Sequence, residues 1–298
     1  MLQIQDVTKD FGKVRAVDNL NFTVESGDIF GLLGPNGAGK TTMIRMIMQI
    51  FQPDSGIITL QGEPVTTGSK DYIGYLPEER GLYQKMKIRE VILYFASLKR
   101  MDSAKARKVA DEYLQRFELL SRADDNIEEL SKGNQQKIQF IISVMHAPNL
   151  LILDEPFSGL DPVNQVVLKE IITELQDKGT TVLLSTHQME QVEKLCEKIC
   201  LINEGSVVLK GNLKQIKRDY GSRLIRVVSD ESLEPLTGKD IFNYTEFSDG
   251  TFTGELKENI RPEDYLKELA EEYSIRKFEV VEPTLEQIFI EQVKGVRS

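Results

Sequence analysis

The chain has 298 residues and a formal net charge of −10. That length supports a substantial core and two domains, and the acidity speaks against a nucleic-acid binder, which would carry a basic face. The longest uncharged run, Ile138 to Leu153, contains Gln139, His146, Pro148 and Asn149, so no stretch reaches the ~20 apolar residues that span a bilayer. No N-terminal basic segment leads into an apolar core, and the expectation is a cytoplasmic chain without a membrane span.

In chain order, residues 1–84 read as a β-rich entry. Ile29-Phe30-Gly31-Leu32-Leu33 is an apolar run leading into Gly34-Pro35-Asn36-Gly37-Ala38-Gly39-Lys40-Thr41-Thr42, and an apolar segment of helical spacing follows from Met43 to Ile50. Strand, glycine loop and helix form the context that the G-x-x-x-x-G-K-[ST] pattern requires. The glycines let successive N–H groups between Gly34 and Thr42 (those of Asn36, Gly37, Ala38 and Gly39 among them) turn inward as an anion nest. The helix N-terminus adds unpaired donors. Lys40 is expected to reach the β and γ phosphates of a nucleotide, and the Thr41 hydroxyl to ligate Mg²⁺.

Residues 85–145 carry helical patterns, as in Ile88, Val91, Ile92, Phe95 and Leu98 at three- and four-residue steps. Ser103 opens a further exposed helix. Leu150-Leu151-Ile152-Leu153-Asp154-Glu155 is an apolar run ending in two acids, which suits a strand buried on both faces of a parallel sheet. Ligands bind at the carboxyl ends of such strands. Asp154 is therefore expected to hold Mg²⁺, directly or through water, and Glu155 to polarise a water for attack on the γ-phosphate. Cys196 and Cys200 lie where a helix end runs into a strand, with no nearby histidine. They read as small buried residues in a reducing compartment, not as a metal site.

Beyond Lys217-Arg218-Asp219-Tyr220-Gly221-Ser222 the pattern changes. Strands are predicted over 223–229, 242–247, 251–256 and 275–281, with a hairpin turn at Ser248-Asp249-Gly250. Helices are predicted over 262–273 and 284–293. The boundary falls at 220, between a domain of residues 1–220 and an α+β domain of residues 221–298.

Asp154-Glu155-Pro156 followed by Ser158-Gly159-Leu160-Asp161-Pro162 resembles the Walker B and D-loop sequence of ABC-type ATPases. Leu130-Ser131-Lys132-Gly133-Asn134-Gln135 is similar to the signature of that family, and Leu183-Leu184-Ser185-Thr186-His187 to the strand that ends in its switch histidine. Together with the glycine loop, these motifs stand in the family's order over roughly the first three quarters of the chain. The resemblance implies an α/β fold, a P-loop NTPase cassette of the ABC type with a helical signature subdomain at about 85–145 and a small C-terminal α+β domain.

It also implies ATP with Mg²⁺ as the bound species. Phe11 falls where the family stacks an aromatic on adenine, the alternative being a core phenylalanine. Glu78, in Tyr75-Leu76-Pro77-Glu78-Glu79-Arg80, stands where the Q-loop glutamine usually offers an oxygen to the metal. Glu79 and Arg80 are either contacts to a membrane partner or solvated loop charges. Ser131 and Gly133, at the start of a helix over 135–145, would meet the γ-phosphate bound to an opposite subunit, and Asp161 of the D-loop joins the nucleotide-binding set. Lys132 either adds a cation there or projects into water. His187 would bond the γ-phosphate and orient the attacking water, whereas His146 reads as packing or capping.

The function implied is the ATP-hydrolysing subunit of an ABC transporter at the inner face of the cell membrane. It would work with separate integral membrane permease subunits and a second copy of itself or a paralogous ATPase, with no nucleic acid. The signature, the Q-loop glutamate and the appendage look most like the sodium-extrusion group of exporters, with a drug-like cargo as the other option. The alternative is an ABC ATPase acting on ribosomes or DNA without transport.

Overall fold

The computed structural model describes residues 1–79, 81–220, 223–257 and 260–295; Arg80, named above as a possible partner contact, lies outside them. The chain folds as two units, Met1–Asn212 and Leu213–Ser298.

In the first unit, Leu2 and Ile4 alternate with polar residues along β1 (Leu2–Phe11), as do Leu20, Phe22 and Val24 along β2 (Val14–Val24), and Val7 returns to the buried side past a register shift. The two pair antiparallel with Leu2 opposite Val24. After β3 (Ile29–Leu33) and α1 (Lys40–Ile47), β4 (Ser55–Leu60) and the short β5 (Glu63–Pro64) complete a sheet of order β2-β1-β4-β5. Next come β6 (Ile73–Leu76), α2 (Ile88–Leu98), α3 (Ser103–Arg116), α4 (Lys132–Val144), β7 (Leu150–Asp154), α5 (Pro162–Asp177), β8 (Thr181–Thr186), α6 (Met189–Leu195), β9 (Lys198–Asn203) and β10 (Ser206–Asn212).

The second sheet has the order β10-β9-β3-β8-β7-β6. Every neighbouring pair from β9 to β6 is parallel, and β10 closes the edge antiparallel. All residues of β3, β7 and β8 are buried, as unbroken apolar runs in a doubly covered sheet should be. Because β3, β8 and β7 are adjacent and parallel, the segments that follow them leave the sheet at one edge. Register places Leu33 beside Thr186 and Asp154 beside Ser185.

Helix starts differ from the sequence reading for local reasons. α1 begins at Lys40 instead of Met43, because left-handed Gly39 ends the loop and sends Lys40, Thr41 and Thr42 into the first turn. α4 begins at Lys132 instead of Gln135, because the Ser131 hydroxyl caps it, accepting from the Asn134 N–H at 3.3 Å. α3 does begin at Ser103, as read, and Asp102 caps it: its carboxylate accepts from the Lys105 N–H at 2.9 Å, and a side-chain oxygen one residue before the first turn is what satisfies that orphan donor. Along α2, Ile88, Val91, Ile92 and Ala96 are buried while Leu98, read as part of the apolar stripe, is exposed in the last turn. Cys196 and Cys200 are buried where α6 gives way to β9, and burial pushes the Cys200 thiol up to about 12.

The second unit contains α7 (Leu213–Asp219), β11 (Leu224–Ser229), β12 (Phe242–Ser248), β13 (Thr251–Leu256), α8 (Pro262–Glu272), β14 (Ile275–Val280) and α9 (Leu285–Gly295). Its sheet order is β12-β13-β11-β14. Asp249 and Gly250 both have positive φ at the hairpin tip, the geometry that matches strand twist in a two-residue turn. Ile225, Val227, Phe252 and Leu256 pack with Tyr265 and Leu269 of α8 into a separate core.

Candidate active site

The loop between β3 and α1 lines a cavity of about 370 Å³ with Asn36, Gly37, Ala38, Gly39, Lys40, Thr41 and Thr42, joined by Ala16, Glu78, Asp154 and Glu155. Gly39 sits at φ 104°, and a Cβ there would lie 2.4 Å from the Ala16 carbonyl oxygen, so the loop is confined by backbone on that side. The Lys40 ammonium donates to the carbonyls of Gly34 at 2.7 Å and Pro35 at 3.1 Å. Burial lowers its pKa, opposed by the carboxylates of Glu155, Asp154 and Glu78. Gly34 thus takes part through its carbonyl and does not line the cavity.

Asp154 closes β7 beside this loop. Its Oδ1 accepts from the Ser185 hydroxyl at 2.8 Å and its Oδ2 from the Thr41 hydroxyl at 3.1 Å. Burial raises the Asp154 pKa, against the two hydroxyl donors, and the charges of Glu78 and Glu155 add to the rise. The Thr41 and Asp154 oxygens lie close to the roughly 3 Å separation of neighbouring ligands around an octahedral Mg²⁺ with bonds of about 2.1 Å. The donor set and its spacing therefore fit that ion.

Glu155 is the first residue past the strand, left-handed at φ 49°, with its N–H bonded to the Ser185 carbonyl at 2.9 Å. That conformation swings its side chain onto the end of β8. Oε2 accepts from the Thr186 hydroxyl at 2.8 Å, and Oε1 accepts from the His187 N–H at 2.9 Å and meets His187 Nδ1 at 2.7 Å. The carboxylate is almost fully buried, while the His187 side chain is 48% exposed. A dyad of this form can hold a water's proton acceptor and a second ring nitrogen at one mouth.

The remaining sequence-derived residues do not line the cavity. Phe11 is exposed at the tip of β1, edge-on to Phe51 at 5.4 Å, with the Lys9 ammonium over the ring; it is not a core residue. Ser131 and Gly133 lie at the start of α4, and an added Cβ on Gly133 would stand 2.6 Å from the Gly159 carbonyl oxygen, so the signature and the D-loop are in backbone contact. Asp161 caps α5, accepting from the Asn164 N–H at 2.9 Å. Glu79 pairs with Arg45 at 3.4 Å, and its carbonyl accepts from Gln139 at 3.2 Å. Burial lowers the His146 pKa to about 4, leaving a neutral packing residue. A larger cavity, about 660 Å³, lies away from the phosphate loop between α3 and the ends of α4 and α5. Arg116 there is already held by Glu174 at 2.7 Å, and Lys99 by the Lys70 and Ile73 carbonyls.

Three residues of the site were given no role from sequence. Ala16 confines the loop through its backbone, which no side-chain pattern reveals. Ser185 and Thr186 stand within the segment that resembles the switch-histidine strand, but the register of β7 on β8 is what sets their hydroxyls against Asp154 and Glu155.

A family model described as ABC transporter matches residues 17–158, and one described as ATP-binding protein DrrA1-3-like, C-terminal domain, matches residues 211–293. An uncharacterized ABC transporter ATP-binding protein of Bacillus subtilis, YhaQ, is 47% identical over 99% of this chain and 99% of its own. The linearmycin resistance ATP-binding protein LnrL of the same organism is 38% identical over 75% of this chain and 72% of its own. Among solved structures, an ATP-binding subunit of an ABC transporter superposes with a TM-score of 0.70 at 30% identity, covering 74% of this chain and 93% of that one. A cassette in a dimeric post-hydrolysis state with ADP and Pi shares the fold, with a TM-score of 0.66 at 24% identity over 72% and 99% of the two chains. With the phosphate loop, paired acids and histidine gathered at one sheet edge and a relative of this identity along its whole length, the chain belongs to the ABC transporter ATP-binding proteins and is an ATPase subunit of that family.

Proposed function

We propose that Glu155 is the general base of ATP hydrolysis in this subunit and that the work is delivered to separate integral membrane permease subunits. One observation carries the reading: the Glu155 carboxylate lines the phosphate-loop cavity while Thr186 and His187 hold both of its oxygens. The backbone from Gly34 to Thr42 and the Lys40 ammonium bind the triphosphate. To do so, Lys40 exchanges the Gly34 and Pro35 carbonyls for phosphate oxygens. Thr41 and Asp154 would hold Mg²⁺, with the Glu78 carboxylate beside them, and the ion would supply charge neutralisation at the phosphates. His187 keeps Nδ1 on Glu155 and turns Nε2 to the γ-phosphate. Phe11, exposed at the tip of β1, offers a stacking face to adenine.

Ser131, Gly133 and Asp161 lie outside their own chain's cavity, which supports a role toward the nucleotide of a second copy or a paralogous ATPase subunit. Residues 1–220 would form the nucleotide-binding domain and residues 221–298 an accessory one. Among the described residues no helix is long and apolar enough to cross a membrane, and the subunit is read as peripheral on the inner face, with permeases supplying the path. The cargo reading is a sodium ion or a drug-like molecule; a relative named for linearmycin resistance favours the latter.

Glu155→Gln tests the assignment. ATP affinity should persist while turnover falls by about 10²–10⁴-fold, the usual worth of a positioned base, and ATP should then hold a long-lived dimer on a sizing column. Turnover at the wild-type rate would overturn the role given to Glu155.

A further inference from the structure

We propose that Thr186 is a positioning residue for hydrolysis, its hydroxyl holding the Glu155 carboxylate aimed into the phosphate cavity. The inference rests on the reading of Glu155 as base, and the observations that carry it lie at the end of β8. Thr186 is fully buried, so no water replaces its hydroxyl. Its Oγ1 accepts from the Gln188 N–H at 3.1 Å and lies 2.8 Å from Glu155 Oε2. A backbone N–H can only donate, so that bond is satisfied by an oxygen lone pair and the single hydroxyl proton is left for the carboxylate.

The chain from the Gln188 N–H through Thr186 to Glu155 fixes the rotation of the carboxylate. Oε1 is held by the His187 N–H and Nδ1, and without Thr186 the group could pivot about those contacts. Because Thr186 is the last residue of β8 and Gln188 precedes α6, the anchor is built on rigid backbone. A misaimed base loses rate without losing substrate.

Thr186→Val removes the hydroxyl at nearly constant shape, and Thr186→Ser keeps it. In the full-length protein, Thr186→Val should lower kcat by about 10–100-fold, the range for one hydrogen bond to a charged group, with KM for ATP within about threefold. Thr186→Ser should restore the rate. In a Glu155→Gln background, Thr186→Val should cause no further loss. If valine does not fold by circular dichroism, Thr186→Ala serves as the hydroxyl-free variant. A folded hydroxyl-free variant with wild-type kcat overturns the inference, as does a serine variant as impaired as valine. Turnover lost in Glu155→Gln but kept in Thr186→Val defeats this inference alone; turnover kept in Glu155→Gln defeats the base assignment and the inference with it.

Discussion

Replacing Gly39 by alanine places a methyl group 2.4 Å from the Ala16 carbonyl oxygen, on a residue at φ 104° and ψ −2°. Gly37 provides the control: it is also left-handed, at φ 81°, but an added Cβ meets no atom within 4 Å. Holding an L residue left-handed costs about 1–2 kcal/mol, which is the whole expected effect of Gly37→Ala. At Gly39 the contact is with backbone of β2, which cannot rotate aside as a side chain would. Overpacking of that kind adds about 1–3 kcal/mol, for a total of about 2–5 kcal/mol. At roughly 2–4 °C per kcal/mol for a unit of this size, the midpoint should fall by about 2–8 °C in Gly37→Ala and about 4–20 °C in Gly39→Ala. Differential scanning calorimetry measures both, and a fluorescent ATP analogue should bind Gly39→Ala less tightly, because the displaced loop no longer presents its N–H groups together. A Gly39→Ala protein as stable as Gly37→Ala, with undiminished binding, would refute the confinement of the loop by Ala16.

Asp154→Asn should raise the melting temperature of the nucleotide-free protein at neutral pH while weakening Mg²⁺-dependent ATP binding. Burial raises the Asp154 pKa above its ordinary value of 3.8, so the folded state disfavours its charged form. The stability cost is absent below 3.8, grows as pH climbs to the raised pKa and is constant above it; the advantage of asparagine should therefore vanish in acid, and an advantage that grows there would contradict the sign. Glu78→Gln should be tolerated and Glu78→Ala should not, because the cavity uses an oxygen at that position; Mg²⁺ titrations of ATPase activity in which alanine matches wild type would remove Glu78 from the site. A chain ending at Asn212 should fold and bind ATP, since the core cluster around the phosphate loop draws on residues no later than Val207. Association by analytical ultracentrifugation should change in that truncation, and loss of nucleotide binding in a folded sample would show that the second unit contributes to the site.

The phosphate loop was legible in sequence because its chemistry is local. Glycines, a lysine and a threonine must follow one another along the backbone to curl around an anion, and the apolar runs before and after them declare a strand and a helix. The same holds for Asp154-Glu155 at the end of a buried strand, and for the hairpin at Asp249-Gly250, where two positive φ angles match the residue types. Two helix starts were less legible: left-handed Gly39 sends Lys40 straight into α1, and Ser131 caps α4 through a side-chain bond to an amide three residues on, signals that compete with the apolar periodicity as a marker. The order β3-β8-β7 is decided only by packing: segments widely separated in the chain pair because their continuous apolar faces are covered from both sides. That pairing sets Asp154 beside Ser185 and brings Thr186 onto Glu155. It also leaves Ser131, Gly133 and Asp161 outside their own chain's cavity. Sequence named the groups that handle phosphate; the sheet register decided which hydroxyls hold them, since a hydrogen bond between distant segments depends on three-dimensional placement that no local spacing encodes.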